Sequence, residues 1–133
     1  MRRILVVTVL LLAAPACGAD DGGDAAPGRV EMTSSQSFDP KSTTIAVGET
    51  VTWDNTSTEQ HTVTAFEDSL PDDAGYFASG GASSEDAAND DLSEGLVGPG
   101  ESYAHTFEAP GTYRYYCIPH ESAGMVGTIV VTE

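Results

Sequence analysis

The sequence predicts an all-β fold, a β-sandwich, over residues 29–133. Three observations predict it: short segments rich in Val, Ile, Thr and aromatic residues, period-two alternation inside several of them, and turn residues spaced regularly between them. The segments are Val30–Ser34, Thr43–Val47, Thr50–Asp54, His61–Phe66, Ser102–Glu108, Tyr113–Cys117 and Val126–Thr132. In Thr50–Asp54, Val51 and Trp53 share a face. In Ser102–Glu108, Tyr103, His105 and Phe107 share one face and Ala104 and Thr106 take the other. Alternation back from Cys117 puts Tyr113 and Tyr115 on its face and Tyr116 on the opposite one. Gly48, Pro110-Gly111 and Gly127 punctuate the series. Tyr113, in the run Pro110-Gly111-Thr112-Tyr113, resembles the tyrosine corner of Greek-key sandwiches.

One stretch interrupts this pattern. Residues 67–100 read as a long irregular insertion with a short helix. Ser83 or Ser84, followed by Glu85 and Asp86, caps a helix running through Asn89. Tyr76, Phe77, Leu92, Leu96 and Val97 are its apolar anchors, and they predict that it packs at an edge of the sandwich. A loop of this length in a small domain commonly carries function.

The chain opens with Arg2 and Arg3, an apolar run from Ile4 to Ala14, and small residues up to Cys17. This reads as a signal peptide over residues 1–16, because the apolar run is too short for the roughly 20 residues of a membrane-spanning helix. Ala14-Pro15-Ala16 fits an A-x-A cleavage site. Cys17 stands where a lipoprotein carries its lipid-acceptor cysteine, although Ala14 occupies the place usually held by Leu. Two fates stay open for Cys17, a lipid anchor or a plain soluble N-terminus. A Cys17–Cys117 disulfide is a third and weaker reading, since Cys17 lies in a tail without apolar residues. Residues 17–28 are acidic and of low complexity, and read as a disordered tether. The chain is thus read as exported, on the outer face of the cytoplasmic membrane or at the cell surface.

The charge is strongly negative, with 5 Lys and Arg against 21 Asp and Glu, a net −16. Arg2 and Arg3 belong to the leader, so a processed chain would carry −18. Such a surface disfavours nucleic acid and anionic membranes as direct partners. It fits either steering of a cationic redox partner or adaptation to concentrated salt, where the Debye length falls to about 3 Å and steering is weak.

The chemistry concentrates in Cys117-Ile-Pro-His120-Glu-Ser-Ala-Gly-Met125, with His61 far upstream in His-Thr-Val. A thiolate, two imidazoles and a thioether form the ligand set of a mononuclear type 1 (blue) copper centre, a His₂Cys plane with a weak axial Met. Taken singly, Cys117 and Met125 read as core residues, His61 as a core histidine and His120 as a solvated loop residue. The Cys-x2-His-x4-Met spacing favours ligation for Cys117, His120 and Met125, and the loop's need for a fourth donor from another strand favours it for His61. His105 has no ligand at loop spacing and reads as a surface or supporting residue.

Taken together, Phe38-Asp-Pro, His61-Thr-Val-Thr and PGTYRYYCIPHESAGMVGTIVV resemble the plastocyanin-type cupredoxins, most of all the halocyanins, over Arg29–Glu133. The resemblance implies a cupredoxin Greek-key sandwich with copper held by His61, Cys117, His120 and Met125. It implies a monomeric carrier of single electrons between redox proteins or membrane respiratory complexes, and no enzyme. His120 would present its ring edge to partners, and Tyr116, beside the ligand cysteine, would offer a second and exposed electron route, unless it is a packed aromatic. Plastocyanins often place an Asn after the first ligand His to tie the ligand segments. Thr62 stands there instead, and Asn55 and Thr62 are candidates for that tie. The second ring nitrogen of His61 is expected to donate to a backbone carbonyl or similar group. Copper storage and a metal-free binding sandwich are the competing functions. A catalytic copper enzyme is not, because His105 cannot supply a second site.

Overall fold

The computed structural model describes residues 28–133. The readings of residues 1–16 as a leader and 17–28 as a tether, with the fate of Cys17, lie outside them except at Gly28, whose carbonyl accepts from Thr52 N–H at 2.7 Å and so belongs to the folded domain. Two four-stranded sheets face each other. One has the order β2-β1-β4-β6 and is built from Arg29–Met32 (β1), Phe38–Asp39 (β2), Thr50–Asn55 (β4) and Ser102–Thr106 (β6). The other has the order β3-β8-β7-β5 and is built from Ser42–Ala46 (β3), Thr64–Ala65 (β5), Gly111–Tyr116 (β7) and Val126–Thr132 (β8). Each sheet is mixed: β1 runs parallel to β4 and β3 parallel to β8, while the other pairs are antiparallel.

Alternation sets the inner faces. Val30 and Met32 on β1, Val51 and Trp53 on β4, Tyr113 and Tyr115 on β7, and Ile129 and Val131 on β8 are all buried. Trp53 sits at the centre, its ring edge-on to Tyr115 at 5.3 Å and stacked on Tyr103 at 5.6 Å. Such offset and edge-to-face pairs add to simple area burial. The Tyr113 hydroxyl donates to the Ala109 carbonyl at 2.6 Å, which makes the predicted tyrosine corner. Gly127 lies under the Tyr115 ring, where an added Cβ would come within 2.4 Å of Cζ and the hydroxyl.

Three sequence readings need correction. The first strand ends at Met32 rather than Ser34, because Thr33–Ser37 closes a turn in which Thr33 N–H donates to Ser37 O at 3.0 Å. Phe38–Asp39 forms a two-residue strand that the sequence reading missed. His61–Phe66 is not one strand: only Thr64 and Ala65 pair with β7. His61 to Val63 instead bond to the insertion, through His61–Val97 and through Ser79 N–H to Val63 O at 2.7 Å. For that reason His61 to Ala65 are all buried, with no outer face to alternate.

The insertion packs along this edge as expected. Ser84 caps helix α1 (Glu85–Asp90) by accepting from Ala87 N–H at 3.1 Å, and α2 (Leu92–Gly95) follows. Phe77 and Val97 enter the main core. Among the described residues no helix is long and apolar enough to cross a membrane.

Candidate metal centre

Strand β7 delivers Cys117 in extended conformation at the end of its buried face. The chain then coils through Ile118–Ala123 and reverses at Gly124, whose φ of 80° lies in the left-handed region that glycine adopts without steric cost. Backbone bonds close this loop on itself. Cys117 N–H donates to Met125 O at 3.0 Å, His120 N–H to Cys117 O at 3.2 Å, and Met125 N–H to His120 O at 3.3 Å. The coil brings His120 Nδ1 to 3.3 Å from the Cys117 sulfur. His61 arrives from the other side, held by backbone bonds to Val97 in both directions at 3.2 and 2.7 Å, with its Nδ1 3.7 Å from the same sulfur.

Donor atoms of His61, Cys117 and His120 lie within 4.8 Å of one another, a group able to hold a metal ion. His61 and Cys117 are fully buried and His120 is half-buried. Met125, also fully buried, sits at the end of the same loop, its backbone bonded to Cys117 and His120. The soft sulfur and the two imidazoles are a donor set suited to copper.

The electrostatics describe the metal-free pocket. Burial pushes the Cys117 thiol up, partly offset by N–H groups directed at the sulfur. Burial also pushes His61 down, and the neighbouring His120 adds to that. Without a cation the pocket therefore favours a neutral thiol and a neutral imidazole. A metal ion reverses that preference at the sulfur.

Thr62 makes the tie between the two ligand segments. Its N–H donates to the Cys117 sulfur at 3.4 Å, and its hydroxyl accepts from Ile118 N–H at 2.8 Å. Asn55 does not bond to the loop; its carboxamide donates to Glu59 O in the turn before His61 and to Val97 O on the insertion. The outer ring nitrogen of His61 meets a side chain rather than a backbone carbonyl, the Ser57 hydroxyl at 2.8 Å. Sequence reasoning missed Ser57, because a serine in Thr-Ser-Thr-Glu looks like any turn residue.

Two further residues fall away from the centre. His105 stacks on Phe77 at 4.9 Å, outside the donor group. Tyr116 points to the outer face as predicted and is only 2% exposed, so of its two readings the packed aromatic is the one found, and the exposed tyrosine is corrected. Helix α1 covers it: the hydroxyl donates to Glu85 Oε1 at 3.1 Å and accepts from Asn89 Nδ2 at 3.0 Å, while the ring stacks on Phe66 at 4.3 Å.

Comparison with known proteins gives the family. The profile of the copper binding proteins of the plastocyanin/azurin family matches residues 29–132. Plastocyanin of Scenedesmus fuscus is 44% identical over 94 residues, covering 71% of this chain and 85% of that protein. Plastocyanin B'/B'' of Nicotiana tabacum is 40% identical over 114 residues, covering 86% of this chain and 94% of that protein. Among solved structures, a mutant plastocyanin of fern superposes with a TM-score of 0.56 at 26% identity, covering 78% of this chain and 99% of that one.

Proposed function

This chain belongs to the plastocyanin/azurin family of copper-binding proteins, electron carriers rather than enzymes, and we propose that His61, Cys117, His120 and Met125 hold its copper as a type 1 centre. The observation that carries the assignment is the convergence of three donor atoms within 4.8 Å at the end of a closed loop. Copper held there supplies a one-electron couple between Cu(I) and Cu(II).

The protein's own residues supply rigidity. Cys117 and His61 are buried on elements fixed by backbone bonds, and Met125 closes the loop behind them. A site that cannot rearrange keeps the two oxidation states alike in geometry, and that favours fast transfer without a bound substrate. His120 is the half-buried ligand, and the exposed Pro119, Glu121 and Ala123 around it form the surface at which a redox partner docks. Tyr116 adjoins Cys117 along β7 and offers a second route, reached through the side of the molecule covered by α1.

We extend the proposal to the wider setting, taking the lipid anchor of the two fates open to Cys17. Residues 1–16 direct export and Cys17 carries a lipid. The folded domain then works as a tethered monomer at the outer face of the membrane, passing electrons between redox proteins or membrane respiratory complexes.

The test is an absorption and EPR spectrum of the mature domain after adding Cu(II), repeated after ascorbate. An intense blue band with narrow copper hyperfine splitting, both lost on reduction, is expected. A pale spectrum of ordinary Cu(II) would refute the assignment.

A further inference from the structure

The outer nitrogen of His61 is served by a chain of buried side chains whose hydrogens can be assigned one by one. Asn55, Ser57 and His61 are 3%, 6% and 0% exposed. The Asn55 Nδ2 group lies 2.7 Å from Glu59 O and 2.9 Å from Val97 O. Both carbonyls only accept, so both amide hydrogens are committed and the Asn55 oxygen must face the other way. That oxygen accepts from Ser57 N–H at 2.9 Å and lies 2.8 Å from Ser57 Oγ.

A carboxamide oxygen carries no hydrogen, so the Ser57 hydroxyl is the donor in that 2.8 Å contact. A second acceptor, Glu59 O, is more distant from the hydroxyl at 3.3 Å. Ser57 has one hydroxyl hydrogen, and Asn55 takes it. At His61 Nε2, 2.8 Å away, the serine can only accept. The hydrogen in that contact belongs to the histidine. Nδ1, the nitrogen facing the Cys117 sulfur at 3.7 Å, is then left with its lone pair free.

We infer that Ser57, oriented by Asn55, is a positioning residue that holds His61 as the Nε2–H tautomer with Nδ1 aimed at the metal position before any metal arrives. The inference rests on His61 being a copper ligand only for its consequence. The tautomer is a property of the metal-free chain. Val97, whose backbone bridges His61, accepts from Asn55 as well, so one amide fixes the bridge and the serine together.

The experiment is two-bond ¹H–¹⁵N correlation NMR of the histidine rings in metal-free protein at about pH 8, above the ordinary histidine range near 6.5. The wild type is expected to show His61 with Nε2 protonated and Nδ1 bare. Ser57→Ala is expected to give a mixture of tautomers and faster exchange of the ring proton, and Ser57→Thr, which keeps the hydroxyl, to restore the wild-type pattern. Outer partners of metal-bound histidines typically contribute 10- to 100-fold to metal affinity, so Ser57→Ala should bind copper about 10-fold more weakly and Ser57→Thr normally. A wild-type Nδ1–H pattern, or a Ser57→Ala spectrum identical to wild type, would overturn the inference. Loss of the blue spectrum in wild-type protein would overturn the copper assignment and leave the tautomer result standing.

Discussion

Thr62 and Cys117, 55 residues apart in the chain, are joined by an N–H to sulfur contact of 3.4 Å, and the Thr62 hydroxyl accepts the N–H of the next residue, Ile118, at 2.8 Å. One residue thereby locks the segment of His61 to the loop that carries Cys117, His120 and Met125. Thr62→Val keeps the shape and the N–H but removes the acceptor, leaving the Ile118 N–H unpaired in a partly buried place. The expected cost is about 1–3 kcal/mol in urea unfolding of the metal-free protein. An unchanged midpoint would mean that the loop is held by its own backbone bonds alone.

Cys117→Ser should abolish the intense visible band while leaving the far-ultraviolet circular dichroism of the sandwich intact. The oxygen replaces the only thiolate in the donor group. Retention of the band would remove Cys117 from the site.

Met125→Leu should keep a coloured centre with a raised reduction potential, measured by redox titration, because thioether donation to Cu(II) is lost. The core tolerates this swap, since Leu and Met have similar volumes. A lower potential would exclude Met125 as an axial donor.

The ligand loop was legible because its chemistry is compressed into nine residues, and any fold that closes Cys117 to Met125 brings the donors together. Strands β4, β6, β7 and β8 were legible because their inner faces meet another sheet and their outer faces largely meet solvent, which is the condition for alternation. The misreadings at His61–Phe66 and Tyr116 have one physical origin. Around His61 and Tyr116 the insertion supplies a second covering, so both faces are buried and period-two reasoning loses its contrast. Side-chain relays such as Asn55–Ser57–His61 leave no pattern in sequence, since they depend on how a turn folds back on itself.

Tyr116→Phe tests that covering. It keeps the stack on Phe66 but removes the hydroxyl that bonds to Glu85 and Asn89. We expect a loss of about 0.5–1.5 kcal/mol in stability, with faster amide exchange confined to residues 85–90. Exchange spread evenly over the domain would show that α1 is anchored by other contacts.

His105 sets a pH dependence with a definite sign. Its ring stacks on Phe77 and stands edge-on to Phe107 at 4.8 Å, and burial lowers its pKa below the ordinary 6.5. Between the native value and 6.5 the unfolded chain therefore binds more protons than the native one, and stability rises with pH across that window. The contribution is complete above 6.5 and is lost as the pH falls through the native value. His61, also lowered by burial, acts in the same direction in metal-free protein. His105→Phe removes one of the two groups, so the difference between wild type and variant isolates it. Urea midpoints from about pH 8 to about pH 5 should fall less steeply for the variant than for wild type, within a window placed by the reference value of 6.5. Parallel curves would show that the His105 ring reaches water freely enough to titrate as it does in the unfolded chain.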